Sequence, residues 1–174
     1  LYIDDTPSLT PFEIRSRARR IQREKGLSLI VIDYLQLMQI QGSKDNRATE
    51  MSEISRNLKA LARELNIPVI ALSQLNRSAT ATGDNPRMSD LRDSGAIEQD
   101  ADLIAFLYRE EIANPNGYSK EKLDELNISG KAELNLAKQR NGPTGSFALK
   151  FVGQFTRFED ENQMDSNIKQ WEKR

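Results

Sequence analysis

The sequence predicts an α/β domain with a mostly parallel sheet flanked by helices and antiparallel hairpin strands at its C-terminal edge. Residues 29–33 and 66–74 are short, strongly apolar segments separated by a helical pattern, as in buried parallel strands joined by a helix. Residues 131–140 and 145–152 alternate apolar and polar side chains around the turn sequence NGPTG. That alternation is typical of a half-buried β-hairpin.

The N-terminal third contains a strand, a helix and a second strand. Residues 1–5 (LYIDD) predict a short strand. Thr10 is suited to cap a helix that begins at Pro11 and ends at Gly26, because proline favours the first helical position and glycine the end. Residues 29–33 are too uniformly apolar for a half-exposed strand, so we expect a central parallel strand covered on both faces.

The clearest helical pattern covers residues 48–65. Its apolar side chains recur every three or four positions: Met51, Ile54, Leu58, Leu61 and Leu65. A second buried strand is expected over 66–74, a short helical piece near 89–99 and a third buried strand over 101–110. Residues 112–129 predict a surface excursion.

The C-terminal part completes the expected domain. After the hairpin, the sequence QFTRFED predicts one more strand. We expect one partial domain over residues 1–160 and a polar tail over residues 161–174. The first residue is Leu1 and the first strand has no lead-in, so we expect a domain truncated at its N-terminus.

Composition excludes several kinds of chemistry. The 174 residues carry a formal charge of −1 and contain no cysteine and no histidine. Disulfides, thiolate nucleophiles, histidine acid–base catalysis and the usual zinc sites are therefore excluded. The lack of cysteine fits a reducing interior, and any nucleic-acid site must be a local feature. No apolar run approaches the roughly 20 residues of a membrane span, so no membrane partner is expected.

Asp33 ends an apolar run and needs an explanation, because a buried charge is costly unless it is paired. Ligands of open α/β sheets bind outside the carboxyl ends of the strands, and Ser73 and Gln74 end the next strand. A carboxylate there could hold Mg²⁺ through water beside nucleotide phosphates. The alternative is that Asp33 caps a turn or pairs with a basic side chain.

Four segments together resemble one family. In chain order they are LIVIDYLQLM, IPVIALSQLNR, MSDLRDSGAIEQDADLIAFLYRE and AKQRNGPTG. They resemble the C-terminal motor domain of bacterial replicative DNA helicases of the DnaB type, and the resemblance covers nearly the whole chain. It implies a RecA-like fold of the P-loop NTPase type, and ATP-driven unwinding at the replication fork by a homo-hexameric ring on single-stranded DNA. It also implies a cytoplasmic location.

The resemblance assigns roles at the sheet edge. Asp33 matches the Walker B aspartate, which orders Mg²⁺ on ATP. Gln74 matches a residue that senses the γ-phosphate and links hydrolysis to the DNA-binding loops. The alternative for Gln74 is a plain surface amide at a strand end.

The hairpin carries two matching cations. Lys138 and Arg140 match basic residues that reach the nucleotide of the neighbouring subunit. Residues i and i+2 of a strand point the same way, and a guanidinium suits a transferring phosphoryl group. The alternative is an exposed hairpin pair.

The loop before the third strand matches the family's DNA-binding loop. Arg92 would meet phosphate by charge, Gly95 would offer a close N–H, and Asp93 would orient Arg92 or the loop. The alternative is an ordinary loop that begins a helix. Residues 15–25 are rich in arginine, but these spread around the helix, which favours a solvated or subunit-contacting surface over a nucleic-acid patch.

Other parts of the family's machinery are not in this sequence. No GxxxxGK[ST] occurs, and Tyr34 follows Asp33 where many ATPases have an acid. The family's catalytic glutamate and its primase-contacting domain lie upstream, and a helicase loader is a further partner of the whole protein. We therefore expect this chain alone not to hydrolyse ATP. The alternatives are a RecA-like recombinase or regulatory ATPase that binds DNA without unwinding, and a non-catalytic assembly module.

Overall fold

A computed structural model describes residues 1–40, 42, 46–75, 85–91, 95–113 and 117–160. The chain divides into two compact units. The first comprises Leu1–Leu75 and Leu91–Ala101, and the second comprises Asn76–Asp90 and Asp102–Arg174. The predicted polar tail over 161–174 and the predicted DNA-binding residues Arg92 and Asp93 lie outside the described residues.

Helix α1 of the first unit spans Pro11–Lys25, as its capping residues predict. The Thr10 hydroxyl accepts a hydrogen bond from the N–H of Glu13 at 3.2 Å, and the Thr10 N–H donates to the Glu13 carboxylate at 2.8 Å. This reciprocal pair satisfies two of the donors that a helix start leaves open. Gly26 ends the helix at a φ of 76°, so the predicted bounds are confirmed.

Helix α2 spans Arg47–Leu65. Asn46 caps it by accepting from the N–H of Thr49 at 3.0 Å, and Asn66 ends it in the left-handed conformation. Four of the five predicted apolar positions are buried and the fifth, Leu65, is half-buried, which confirms the helical pattern.

The core of this unit lies between α2 and the segment after the first strand. Ile54 is completely buried. Around it lie four further buried side chains and four partly buried isoleucines: Leu35, Met38, Met51, Leu58, Ile14, Ile32, Ile40 and Ile97. Ile14 lies on α1, and Ile97 lies on the short helix α3, Gly95–Asp100. The core therefore links three helices to the residues that follow the strand, and α3 confirms the helical piece predicted near 89–99.

Strands β1 (Ile30–Ile32) and β2 (Val69–Ala71) form the parallel sheet of the first unit. Val31 lies opposite Ile70 in the register, so the two side chains share one face of the sheet. They are 58% and 49% exposed, so two expectations are wrong: that β1 is covered on both faces and that β2 is a buried strand. An apolar strand sequence is compatible with burial, but burial also requires an element packed on each face.

The strand predicted over residues 1–5 does not form. Instead, polar contacts hold this segment: Asp4 pairs with Arg17 of α1 and accepts from the N–H of Thr6 at 3.1 Å. The Arg17 guanidinium, followed by the bonds from Thr6, lowers the pKa of the exposed Asp4 carboxyl to about 2. A strand needs a neighbour for its main-chain hydrogen bonds, and in the described unit this segment has none.

The second unit is built on four antiparallel strands that pair in chain order: β3 (Leu103–Tyr108), β4 (Lys131–Gln139), β5 (Gly145–Val152) and β6 (Arg157–Asp160). The predicted hairpin and the further strand are confirmed. With the parallel sheet and the helices of the first unit, the predicted α/β class is confirmed.

Strand β3 differs from its prediction. Ile104 and Phe106 are buried, whereas Leu103 and Leu107 are 55% and 49% exposed. The strand is therefore buried on one face, and it pairs antiparallel with β4. The residues expected as a surface excursion include two short helices, α4 (Glu110–Ala113) and α5 (Lys120–Leu126).

A polar cluster fixes one end of the antiparallel sheet. The Arg109 guanidinium lies 3.6 Å from the ring centroid of Phe151 and pairs with Glu111. The Glu111 carboxylate accepts from the N–H of Gly130 at 2.9 Å. Burial alone would raise the pKa of Glu111, but the Gly130 N–H and the Arg109 guanidinium outweigh it and lower that pKa. In turn, Gly130 accepts from the N–H of Phe151 at 2.6 Å.

Within the described ranges, no helix combines the length and the apolar character that crossing a membrane requires.

Candidate functional site

The predicted nucleotide-site residues Asp33 and Gln74 lie at the carboxyl edge of the parallel sheet of the first unit. Asp33 directly follows β1, and the peptide bond between Asp33 and Tyr34 is cis. Ser73 and Gln74 follow β2, which runs parallel to β1. The Asp33 carboxylate is exposed and has no hydrogen-bond partner among the described residues. Among those residues, Asp33 therefore neither caps a turn nor forms an ion pair.

One glutamine connects the two strand ends. The Gln36 amide nitrogen donates to the Ser73 hydroxyl at 3.0 Å and to the main-chain oxygen of Gln74 at 3.2 Å. Its amide oxygen accepts from the N–H of Gln74 at 3.2 Å. Sequence reasoning missed Gln36, although a polar residue between two leucines in DYLQL was a usable signal.

Side chains of helix α2 also bind the main chain of residues 36–40. Arg47 donates to the main-chain oxygens of Gln36 and Met38 at 2.9 and 3.1 Å. It also pairs with Glu50, whose carboxylate accepts from the N–H of Ile40 at 2.9 Å. The Ile40 N–H, and then Arg47, lower the pKa of Glu50. The sequence pattern could not predict these contacts, because every residue has the main-chain groups that take part in them.

The sheet edge fits a magnesium ion held mainly by water and phosphate. No group of three or more carboxylate, thiol or imidazole ligands exists in the part of the chain that the structure describes. Asp33 supplies one carboxylate, and Ser73 and Gln74 supply neutral oxygens at the same edge. Mg²⁺ prefers oxygen ligands and usually keeps several waters beside substrate phosphates, so one carboxylate is a sufficient protein contribution.

Lys138 and Arg140 belong to the second unit. Lys138 lies in β4 opposite Ile104, beside a bulge in the pairing, and Arg140 is the first residue after β4. The rule that residues i and i+2 of a strand share a face therefore does not fix the direction of Arg140. Instead, its N–H donates to the main-chain oxygen of Asp102 at 2.8 Å, and its Nε lies 3.7 Å from the Asp102 carboxylate.

Gly95 is the one predicted DNA-binding residue that the structure describes. It begins α3 and lines an open cleft of about 470 Å³ with the polar face at the start of α2. Thr49, Ser52 and Arg56 line the same cleft. Arg56 is exposed and forms no ion pair or hydrogen bond within the described part of the chain. The cleft thus offers neutral hydrogen-bonding groups and one available guanidinium.

Three of the arginines of α1 form ion pairs within the first unit. Arg15 lies 2.6 Å from the Glu64 carboxylate of α2, and Arg19 pairs with the same carboxylate. Arg17 pairs with Asp4. The Arg19 bond is the largest cause of the lowered pKa of Glu64. These pairs favour a structural surface over a nucleic-acid patch on this helix.

An α/β chain with an exposed carboxylate at the carboxyl edge of parallel strands is typical of nucleotide-dependent enzymes. Residues 1–160 match the family described as the DnaB-like helicase C terminal domain. The chain therefore belongs to that family, as the sequence resemblance predicted.

Relatives and solved structures agree with this assignment. The chain is 58% identical to the replicative DNA helicase DnaB of Pasteurella multocida over 162 residues, which cover 92% of the chain and 33% of that protein. It is 54% identical to the replicative DNA helicase DnaC of Bacillus subtilis, over 91% of this chain and 33% of that protein. The chain thus spans about a third of the length of these curated relatives.

Two solved structures share the fold. One is described as an ATPase domain, with a TM-score of 0.74 and 39% identity over 87% of this chain and 51% of that one. The other is described as a DnaB-like replicative helicase and its interactions with primase. Its TM-score is 0.74 and its identity 40%, over 87% of this chain and 36% of that one.

Proposed function

We propose that this chain is the C-terminal motor portion of a replicative DNA helicase that hydrolyses ATP to move along single-stranded DNA and unwind duplex at the replication fork. The observation that carries the proposal is the exposed Asp33 carboxylate at the carboxyl edge of the parallel sheet, in a chain of the DnaB-like family. Such a protein would work in the cytoplasm, where a bacterial chromosome is replicated.

Asp33 and Gln74 are the proposed nucleotide residues of the first unit. Asp33 would hold Mg²⁺ through water, and the bound ion would neutralise charge on the phosphates of ATP. Gln74 would contact the terminal phosphate, and its main chain is already fixed by Gln36. Loss or gain of that phosphate would therefore act first on Gln74 and on Gln36, to which it is bonded.

Lys138 and Arg140 are proposed to serve the nucleotide of a neighbouring subunit in a homo-hexameric ring. Their support is chemical: a guanidinium presents a planar fork of donors that matches phosphate oxygens, and lysine adds a point charge. A head-to-tail ring brings one subunit's surface against the next subunit's site. Primase and a helicase loader are proposed partners of the whole protein, and primase is named for one solved relative.

The proposed DNA contacts are Arg92, Asp93 and Gly95. The described part of this region supports a phosphate-binding surface, because Gly95 shares its cleft with hydroxyls and the available guanidinium of Arg56. Such groups bind the nucleic-acid backbone irrespective of sequence, which suits a motor that must pass over every base.

The decisive experiment mixes two inactive full-length proteins, Asp33→Ala and Arg140→Ala. In a mixed ring, some interfaces receive Arg140 from an Asp33→Ala subunit and Asp33 from an Arg140→Ala subunit. If Arg140 acts on the neighbouring subunit, both residues are intact at those interfaces. Arginine fingers contribute about 10³–10⁵ in turnover, so each variant alone should be nearly inactive while mixing restores part of the ATPase rate.

A mixture of wild type with Arg140→Ala is the control for cooperativity. A linear fall of activity with mutant fraction would indicate independent interfaces, and a steep fall would indicate that all must be intact. If mixtures stay inactive while subunits exchange and the control falls linearly, Arg140 does not act in trans.

A further inference from the structure

We propose that Asp102 is a positioning residue that orients Arg140 for its action on the neighbouring subunit's nucleotide. The inference rests on the proposed trans role of Arg140 and extends it to a residue to which no role had been assigned. Asp102 directly precedes β3, and Arg140 directly follows β4, the strand paired with it.

Two separate contacts join these residues. The main-chain oxygen of Asp102 accepts from the N–H of Arg140 at 2.8 Å, which continues the ladder beyond the pair of Leu103 and Gln139. The Asp102 carboxylate lies 3.7 Å from the Arg140 Nε. The first contact fixes where the Arg140 side chain begins, and the second restricts where its guanidinium goes.

The ion pair between the Asp102 carboxylate and the Arg140 guanidinium is weak. At 3.7 Å it is longer than a hydrogen bond, and the Arg140 and Asp102 side chains are 46% and 56% exposed. Exposed ion pairs of this kind are weak, so a multiply charged phosphate can displace the carboxylate. Until then, the carboxylate limits the conformations that a long arginine side chain would otherwise sample, which reduces the entropy lost when the guanidinium meets phosphate.

The two contacts can be separated by mutation. Every substitution at position 102 keeps the main-chain oxygen, so the hairpin end stays anchored while the carboxylate changes. Asp102→Asn removes the charge at nearly the same size. Asp102→Glu keeps the charge, and Asp124→Asn removes an exposed carboxylate from α5 of the same unit as a matched control.

The test places Asp102→Asn on either partner of the complementing mixture of full-length proteins. Added to Asp33→Ala, it sits on the subunit that donates Arg140, and the restored kcat should fall about two- to fivefold, as expected for a weak ion pair. Added to Arg140→Ala, it sits on the subunit that only supplies the nucleotide site, and the restored kcat should not change. KM for ATP and the thermal midpoint should stay the same in both, and Asp102→Glu on the donor should recover most of the rate.

Other outcomes overturn the proposal in distinguishable ways. An equal loss on both subunits, a fall in thermal midpoint, or the same loss from Asp124→Asn would assign Asp102 a structural role. An unchanged kcat on the donor would mean that the carboxylate does not orient Arg140. If the parent mixture shows no complementation while subunits exchange, and activity falls linearly with the fraction of Arg140→Ala subunits, the trans role of Arg140 is refuted and the role of Asp102 is refuted with it.

Discussion

The side-chain amide of Gln36 forms two hydrogen bonds with the main chain of Gln74, one as donor and one as acceptor. The Gln36 nitrogen donates to the Gln74 oxygen and its oxygen accepts from the Gln74 N–H, both at 3.2 Å. The segment after Asp33 and the end of β2 are therefore a single hydrogen-bonded unit.

Gln36→Ala should lower the free energy of unfolding by about 1–2 kcal/mol, because it removes a partly buried bond to Ser73 and two exposed bonds to Gln74. Urea denaturation of the purified protein measures the change. Gln39→Ala is the matched control, since Gln39 is an exposed glutamine of the same segment. Equal midpoints for the two variants would show that the Gln36 bonds add nothing to stability.

Glu50→Gln should destabilise the protein by about 1–3 kcal/mol at neutral pH, since the Ile40 N–H and Arg47 lose a charged acceptor. The lowered pKa of Glu50 sets the pH dependence. Its contribution is present above the unfolded-state value of about 4.3 and disappears as pH falls through the lower folded-state value.

The difference between wild type and Glu50→Gln should therefore shrink below about pH 4.3. Glu53→Gln, an exposed glutamate on the same helix, should show neither effect. A constant difference down to the lowest pH at which the protein folds would contradict the assigned cause.

Gly130→Ala should cost about 1–2 kcal/mol, because Gly130 has a φ of +69°. An added Cβ would also lie 2.9 Å from the main-chain oxygen of Phe151, which cannot move without disturbing the sheet. Gly142→Ala is the comparison: its Cβ would meet the end of the Gln139 side chain, which can rotate away. Thermal unfolding of both variants measures the two losses of stability. A larger loss for Gly142→Ala than for Gly130→Ala would contradict the prediction.

Arg56→Ala in the full-length protein should weaken single-stranded DNA binding alike on all sequences. If Arg56 meets a phosphate, the slope of log affinity against log salt should become shallower by about 0.7. Fluorescence anisotropy with homopolymer and mixed-sequence strands measures both effects. Arg63→Ala removes an exposed arginine of the same helix that does not line the cleft. The same loss from either variant would indicate a general charge effect, not a contact.

The isolated 174-residue chain should release no phosphate from ATP above background, with or without single-stranded DNA, because its sequence contains no phosphate-cradling loop. Steady-state phosphate release on the purified chain is the measurement. Turnover that follows the protein through every purification step would be incompatible with this expectation.

The elements that the sequence determined are those whose signals are local. The Thr10 and Gly26 caps fix the ends of α1, the three-and-four spacing fixes the buried face of α2, and NGPTG joins two alternating strands. Each of these signals acts between residues a few positions apart, so it does not depend on how the rest of the chain folds. The position of Asp33 and Gln74 after two apolar segments was readable for the same reason.

Tertiary structure alone decided which faces are covered and which polar groups meet. Residues 1–5 form no strand and Val31 is exposed, because pairing and burial depend on a neighbour that local sequence does not specify. The contact of Gln36 with Gln74 spans 38 positions, and that of Asp102 with Arg140 joins two strand ends. Such contacts leave no periodic signature, since they depend on register and on main-chain acceptors that every residue possesses.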